Sequence, residues 1–119
     1  MYEVIFYKNR SGNESIKEYL YSLKSKSDSC KDDRIKLEKI MTYIGALERY
    51  GVRIGSPMVK HLEGDIWELR PLRIRILLFL WQDNIFVLLH HFVKKTSKTP
   101  RKEIEQAKRN RNDFLERNH

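Results

Sequence analysis

A single cysteine, Cys30, excludes an internal disulfide. It lies in the polar stretch from Ser25 to Asp33 with no base beside it, so it reads as a surface or helix-start residue rather than a catalytic thiol. The four histidines show no paired ligand spacing. His90 and His91 are adjacent and would point to opposite faces of a strand, which argues against zinc. Apolar runs are short. The longest, Ile74 to Trp81, is broken by Arg75 and falls well below the roughly 20 residues that span a bilayer, so no membrane partner is expected. The opening Met1-Tyr2-Glu3-Val4 lacks the charged-then-apolar layout of a secretory leader, and the cytoplasm is the expected location. Also missing are a glycine-rich phosphate loop, a nucleophile elbow and a carboxylate pair suited to glycoside chemistry. There is no repeat, low-complexity tract or internal linker.

What is present is a basic chain of 119 residues, enough for one hydrophobic core over residues 1–119. With 40% hydrophobic and 34% charged residues, it has the balance of a soluble globular protein with a charged surface. The net charge of +8 is concentrated late in the chain: Lys94, Lys95, Lys98, Arg101, Lys102, Lys108, Arg109 and Arg111 face only Glu103 and Glu105 in that segment. A concentrated basic block suits a polyanion, because displacing counterions from phosphates supplies affinity without sequence preference. A merely solvated helix face is the competing reading.

The hydrophobic pattern predicts a strand over Tyr2 to Tyr7 and a helix from about Glu14 to Leu23, followed by a polar connector. A second helix is predicted over Lys31 to Tyr50, striped by Leu37, Ile40, Ile44 and Leu47 and ended at Gly51. Strands are then expected at 58–62, 66–70, 73–81 and 85–93. The last is apolar enough to be central and covered on both faces. A final helix begins near Thr99-Pro100, with Thr as cap and Pro at the first helical position. Helices and strands are segregated, so the predicted class is α+β: an antiparallel sheet packed with an N-terminal two-helix hairpin and a C-terminal helix.

Two clusters could carry chemistry. In Glu68-Leu69-Arg70-Pro71-Leu72-Arg73-Ile74-Arg75, Arg73 and Arg75 would share a strand face with Arg70 across the turn. Three guanidiniums together either grip a phosphate with their planar forks or pair with Glu68, Glu63 or Asp65. In His90 to Thr99, lysines leave the last strand beside a histidine able to move protons. His90 could equally be a packed core residue. Such a metal-free basic site suits RNA cleavage, in which a 2′-hydroxyl attacks its own adjacent phosphate. The protein aligns that attack, neutralises the growing charge and moves protons.

The strings Ile66-Trp67-Glu68-Leu69-Arg70-Pro71, Arg75-Ile76-Leu77-Leu78-Phe79, Leu88 to Pro100 and Arg101 to Ala107 resemble the phage-derived, Gp49-like branch of the RelE/HigB toxins. The match is strong over residues 58 to 110 and one of layout before that. The resemblance implies a RelE-like fold, a curved sheet backed by helices. It also implies an endoribonuclease that cuts messenger RNA, typically in the ribosomal A site, with no metal or other cofactor. Its partner would be an antitoxin encoded beside it, usually a helix-turn-helix protein. Arg70, Arg75, Lys94 and Lys95 match basic positions of the family. Arg73 and His90 join them on the charge and proton-transfer arguments, and Lys98, Arg101 and Lys102 extend the site as RNA contacts. Several relatives move protons with a tyrosine or histidine near the C-terminus. Here the last tyrosine is Tyr50, which leaves the acid and base open. A non-catalytic nucleic-acid-binding module and a structural phage protein are the alternative functions.

Overall fold

A computed structural model describes residues 1–118. Strand β1 (Glu3–Phe6) leads into helices α1 (Ser15–Lys26) and α2 (Lys31–Tyr50), which pack as a hairpin. A 3₁₀ turn over Gly51–Ile54 delivers the chain to β2 (Val59–Glu63), β3 (Ile66–Leu69), β4 (Ile74–Trp81) and β5 (Ile85–Val93), and α3 (Arg101–Arg117) closes the fold. Helix α1 runs a turn further than its apolar stripe. The Ser27 and Ser29 hydroxyls donate to the carbonyls of Lys24 and Lys26, satisfying acceptors left open at the helix end.

The five strands form one open sheet in the order β1-β5-β4-β3-β2. β2 to β5 are the expected antiparallel meander. The sheet as a whole is mixed rather than antiparallel: β1 lies parallel to β5, from Glu3 opposite Ile85 to Phe6 opposite Leu88. The reason is the connection. Parallel neighbours need a crossover, and the α1–α2 hairpin carries the chain over one face before the meander returns it beside β1.

Both sheet faces are covered, so β4 and β5 read as nearly continuous apolar runs. On one face Ile74, Ile76, Leu78, Phe86 and Leu88 pack against Ile16, Leu20, Ile40, Ile44 and Leu47 of the hairpin. On the other, Leu77, Phe79, Val87 and Leu89 pack against Ala107 and Phe114 of α3. The strict alternation fails between β4 and β5, as it does once between β2 and β3 at His61–Glu63. Leu77 pairs with His90 but Leu78 pairs with Leu88, leaving Leu89 as an extra residue in β5. This bulge shifts the phase of the strand by one. Beyond it, His90 and Phe92 turn to the α3 face, and His91 turns to the hairpin to stack on Tyr19 at 4.7 Å. The two histidines do point to opposite faces. Among the described residues no helix is long and apolar enough to cross a membrane.

Candidate functional site

The meander brings Lys60, Glu68 and Leu77 into one cross-strand row on the α3 face, and Arg75 opposite Phe92 in another. Where α3 begins, the sheet runs past the helix, and a groove of about 220 Å³ opens. Its walls are Lys60, His61 and Leu62 of β2, Glu68, Arg70, Arg75 and Phe92 of the inner strands, Ile104 of α3, and the segment carrying Lys94, Ser97, Lys98 and Thr99.

Arg75 is the most constrained cation. It is 7% exposed, and its Nη1 donates to the carbonyls of Leu72 (2.8 Å) and Ile74 (3.0 Å). Leu72 holds a left-handed φ of 56°, unusual for a branched side chain, so Arg75 fastens a strained turn. Burial, then the nearby charge of Arg70, lower the Arg75 pKa from its ordinary value. A guanidinium nevertheless stays charged. Arg70 is partly buried, and its Nε has no hydrogen-bond partner among the described residues.

Glu68 stands between the two arginines. It is 2% exposed, with Oε1 3.6 Å from Arg70 Nε and 3.9 Å from Arg75 Nε. Its Oε2 accepts a hydrogen bond from the Thr99 hydroxyl. Thr99 is thus committed to the groove floor rather than to capping α3, whose start carries no side-chain cap. The Glu68–arginine separations exceed those of a good hydrogen bond, so both guanidiniums keep donor capacity for an incoming anion. Lys60 and His61 are groove residues that the chemical reading of the sequence passed over, and Glu68 entered it only as a possible partner for the arginines. The signal for Glu68 was its place in a strand two residues after Ile66, on a face that must be buried. A carboxylate there requires cationic neighbours. His61 borders the groove through β2, but its ring packs on Trp67 toward the hairpin face, with Nε2 2.7 Å from the carbonyl oxygen of Gly64.

The other expected site residues are distributed unevenly. Lys94 and Lys98 line the groove. Arg73 does not: it is exposed in the turn before β4 rather than on the strand, and its carbonyl accepts from the Lys94 amide. His90 lies outside the groove, its Nε2 2.8 Å from Glu103 Oε1 of α3, in a hollow shared with Tyr7, Asn9 and Asn110. Lys95 and Lys102 line a neighbouring hollow on the far side of Phe92. Arg101 is held by Glu63 and Glu105, Lys108 by Glu63, and Arg111 by Asp65. Part of the basic block therefore anchors α3 to the β2–β3 turn. By contrast, Lys94, Lys95, Lys98 and Lys102 make no ion pair among the described residues. No three His, Cys, Asp or Glu side chains gather as a metal site among the described residues.

The family model for phage-derived Gp49-like proteins (DUF891) matches residues 29–112. No curated protein matches the sequence significantly. The matched segment runs from α2 into α3 and includes every residue that lines the groove. The chain belongs to this Gp49-like family, a family of RelE-type toxins of toxin–antitoxin systems.

Proposed function

We propose that residues 1–119 act as a single toxin domain, an endoribonuclease that cuts messenger RNA on the ribosome until an antitoxin neutralises it. The observation that carries this reading is the groove. Two oriented guanidiniums and the unpaired Lys94 and Lys98 converge on a space large enough for a phosphodiester. Arg75 and Arg70 would hold the non-bridging oxygens and neutralise the phosphorane that forms as the 2′-oxygen gives up its proton and bonds to phosphorus, before the P–O5′ bond breaks, the 5′-oxygen leaves with a proton and a 2′,3′-cyclic phosphate remains. Lys94 and Lys98 would add mobile positive charge from the rim. The catalytic cations would all be the protein's own, so the reaction needs no metal or other cofactor. Besides the lysines, Glu68 is a groove-lining group able to carry a proton. Family membership implies an antitoxin partner. We take that partner to be a helix-turn-helix protein and the toxin to work in the cytoplasm.

Purified protein is to be incubated with ribosomes and a defined messenger, and 5′ ends mapped. Discrete cuts are expected, lost in Lys94→Ala and Arg75→Ala. Lys94 is half-buried at the rim, so its variant separates loss of chemistry from loss of folding, which Arg75→Ala risks. Intact messenger, with salt-dependent binding and no products, would leave a binding module without catalysis. Expression without a partner should arrest growth; normal growth with soluble protein refutes the toxin mechanism.

A further inference from the structure

Phe92 divides the free basic charge into two compartments. On one side is the groove, with Lys94 and Lys98. On the other is an open hollow of about 490 Å³ lined by Phe92, Lys95, Thr96 and Lys102. Lys94 lines the groove and Lys95 the hollow, one on each side. These four lysines are unpaired, whereas Arg101, Lys108 and Arg111 are neutralised by Glu63 and Asp65. Among the described residues, four of the five cations left without an ion pair in this stretch thus flank Phe92; the fifth, Arg109, lies further along α3 beside Gln106. The Phe92 ring is held in place. It lies opposite Arg75 in the sheet and near-parallel to the His90 ring, 6.1 Å away at 26°. His90 is itself fixed by Glu103. Glu103 borders the hollow, but its carboxylate is turned to His90.

We propose that the hollow is a second RNA subsite: Lys95 and Lys102 hold the phosphate next to the one in the groove, and Phe92 stacks the nucleobase between them. The ligand is single-stranded RNA. A fixed aromatic face between two phosphate-binding compartments matches a nucleotide's alternation of base and phosphate. Stacking is indifferent to base identity, so the subsite adds affinity and register rather than sequence choice. The proposal rests on the RNA reading of the groove and adds that the bound segment extends past one phosphate on the Phe92 side.

The test uses the whole chain and 2′-O-methylated oligoribonucleotides, which lack the attacking hydroxyl. Affinity is measured for a dinucleotide and for a longer strand at several salt concentrations. Wild-type protein should bind the longer strand more tightly. In K95A/K102A that length gain should shrink, and the slope of log affinity against log salt should fall by about 0.7 for one lost phosphate. Phe92→Leu, which keeps an apolar side chain in the wall, should weaken the longer strand by about 5- to 150-fold, the worth of one stacked base. A length gain and salt slope preserved in K95A/K102A overturn the proposal. If Lys94→Ala still weakens both ligands, the groove reading stands and only the second subsite falls. A wild-type chain that binds neither ligand overturns both.

Discussion

Replacing Glu68 by Gln removes the negative charge shared by Arg70 and Arg75 and changes little else. The amide keeps the shape, and its oxygen can still accept from Thr99. At 3.6 and 3.9 Å, and an effective dielectric of about 20, each Glu68–arginine attraction is worth about 4 kcal/mol before desolvation is counted. Desolvation of a group 2% exposed offsets much of that. Removing one partner of a buried pair typically costs about 3–5 kcal/mol, because the other charge stays behind. Here Arg70 retains a quarter of its side-chain exposure and can rehydrate, so about 2–3 kcal/mol is expected. For a chain of this size that is a fall in Tm of about 10 °C. The assay is thermal and urea unfolding at low salt, repeated with inorganic phosphate. The vacated charge should make the groove a better anion site, so phosphate should raise the Tm of Glu68→Gln by more than that of wild type. Equal stability of variant and wild type would refute the pairing. Equal response to phosphate would refute the inference that Glu68 occupies the electrostatic place of an anion.

Gly51→Ala should destabilise by about 1–3 kcal/mol in urea unfolding: the site has φ 66° and ψ −156°, and an added Cβ would lie 2.8 Å from the Tyr2 ring. Acid should weaken the anchorage of α3. Hydrogen bonds from Arg101 and then Lys108 lower the Glu63 pKa from 4.5 to about 2, and those from Tyr7 and then Arg117 lower Asp113 from 3.8 to about 2. Both are depressed in the folded state. Their contribution is therefore complete above the unfolded values and disappears as pH falls through about 4 to 2, which Tm against pH will show, less steeply in Glu63→Gln. His91 has its pKa lowered, first by burial and then by His90. Its stabilising contribution is full above pH 6.5 and declines below, and its NMR resonances should titrate below 6.5. Arg101→Ala should lower stability in acid-sensitive fashion while leaving the salt slope of RNA binding intact, because its charge is already matched by Glu63 and Glu105.

Much of this arrangement is written locally. Helix α2 follows from one stripe, Leu37-Ile40-Ile44-Leu47, and a glycine stop. β5 follows from an apolar run too long for an exposed strand. What escapes is whatever depends on distant partners. That β1 pairs with β5, and in parallel, is decided by how the hairpin crosses the sheet, a contact between residues about 80 positions apart. The bulge at Leu89 leaves no mark in composition, yet it reverses which histidine meets α3. Thr99 has the chemistry of a cap, but a buried carboxylate 31 residues earlier claims its hydroxyl.

The basic block shows most clearly why charge counting along a sequence misleads about a surface. Between Lys94 and Arg111 only Glu103 and Glu105 oppose the cations in sequence, but in space Glu63 and Asp65 reach Arg101, Lys108 and Arg111 from the β2–β3 turn. Those pairs hold the helix against the sheet and, being exposed, add little stability each. Their larger consequence is spatial. By cancelling much of the charge along α3, they leave a dense group of free cations where the end of β5 meets the start of α3, with Lys94, Lys95, Lys98 and Lys102 around Phe92 and Arg75 in the groove wall. A polyanion approaching this stretch therefore meets its densest free charge at the end of the sheet and the start of α3, beside the oriented guanidiniums.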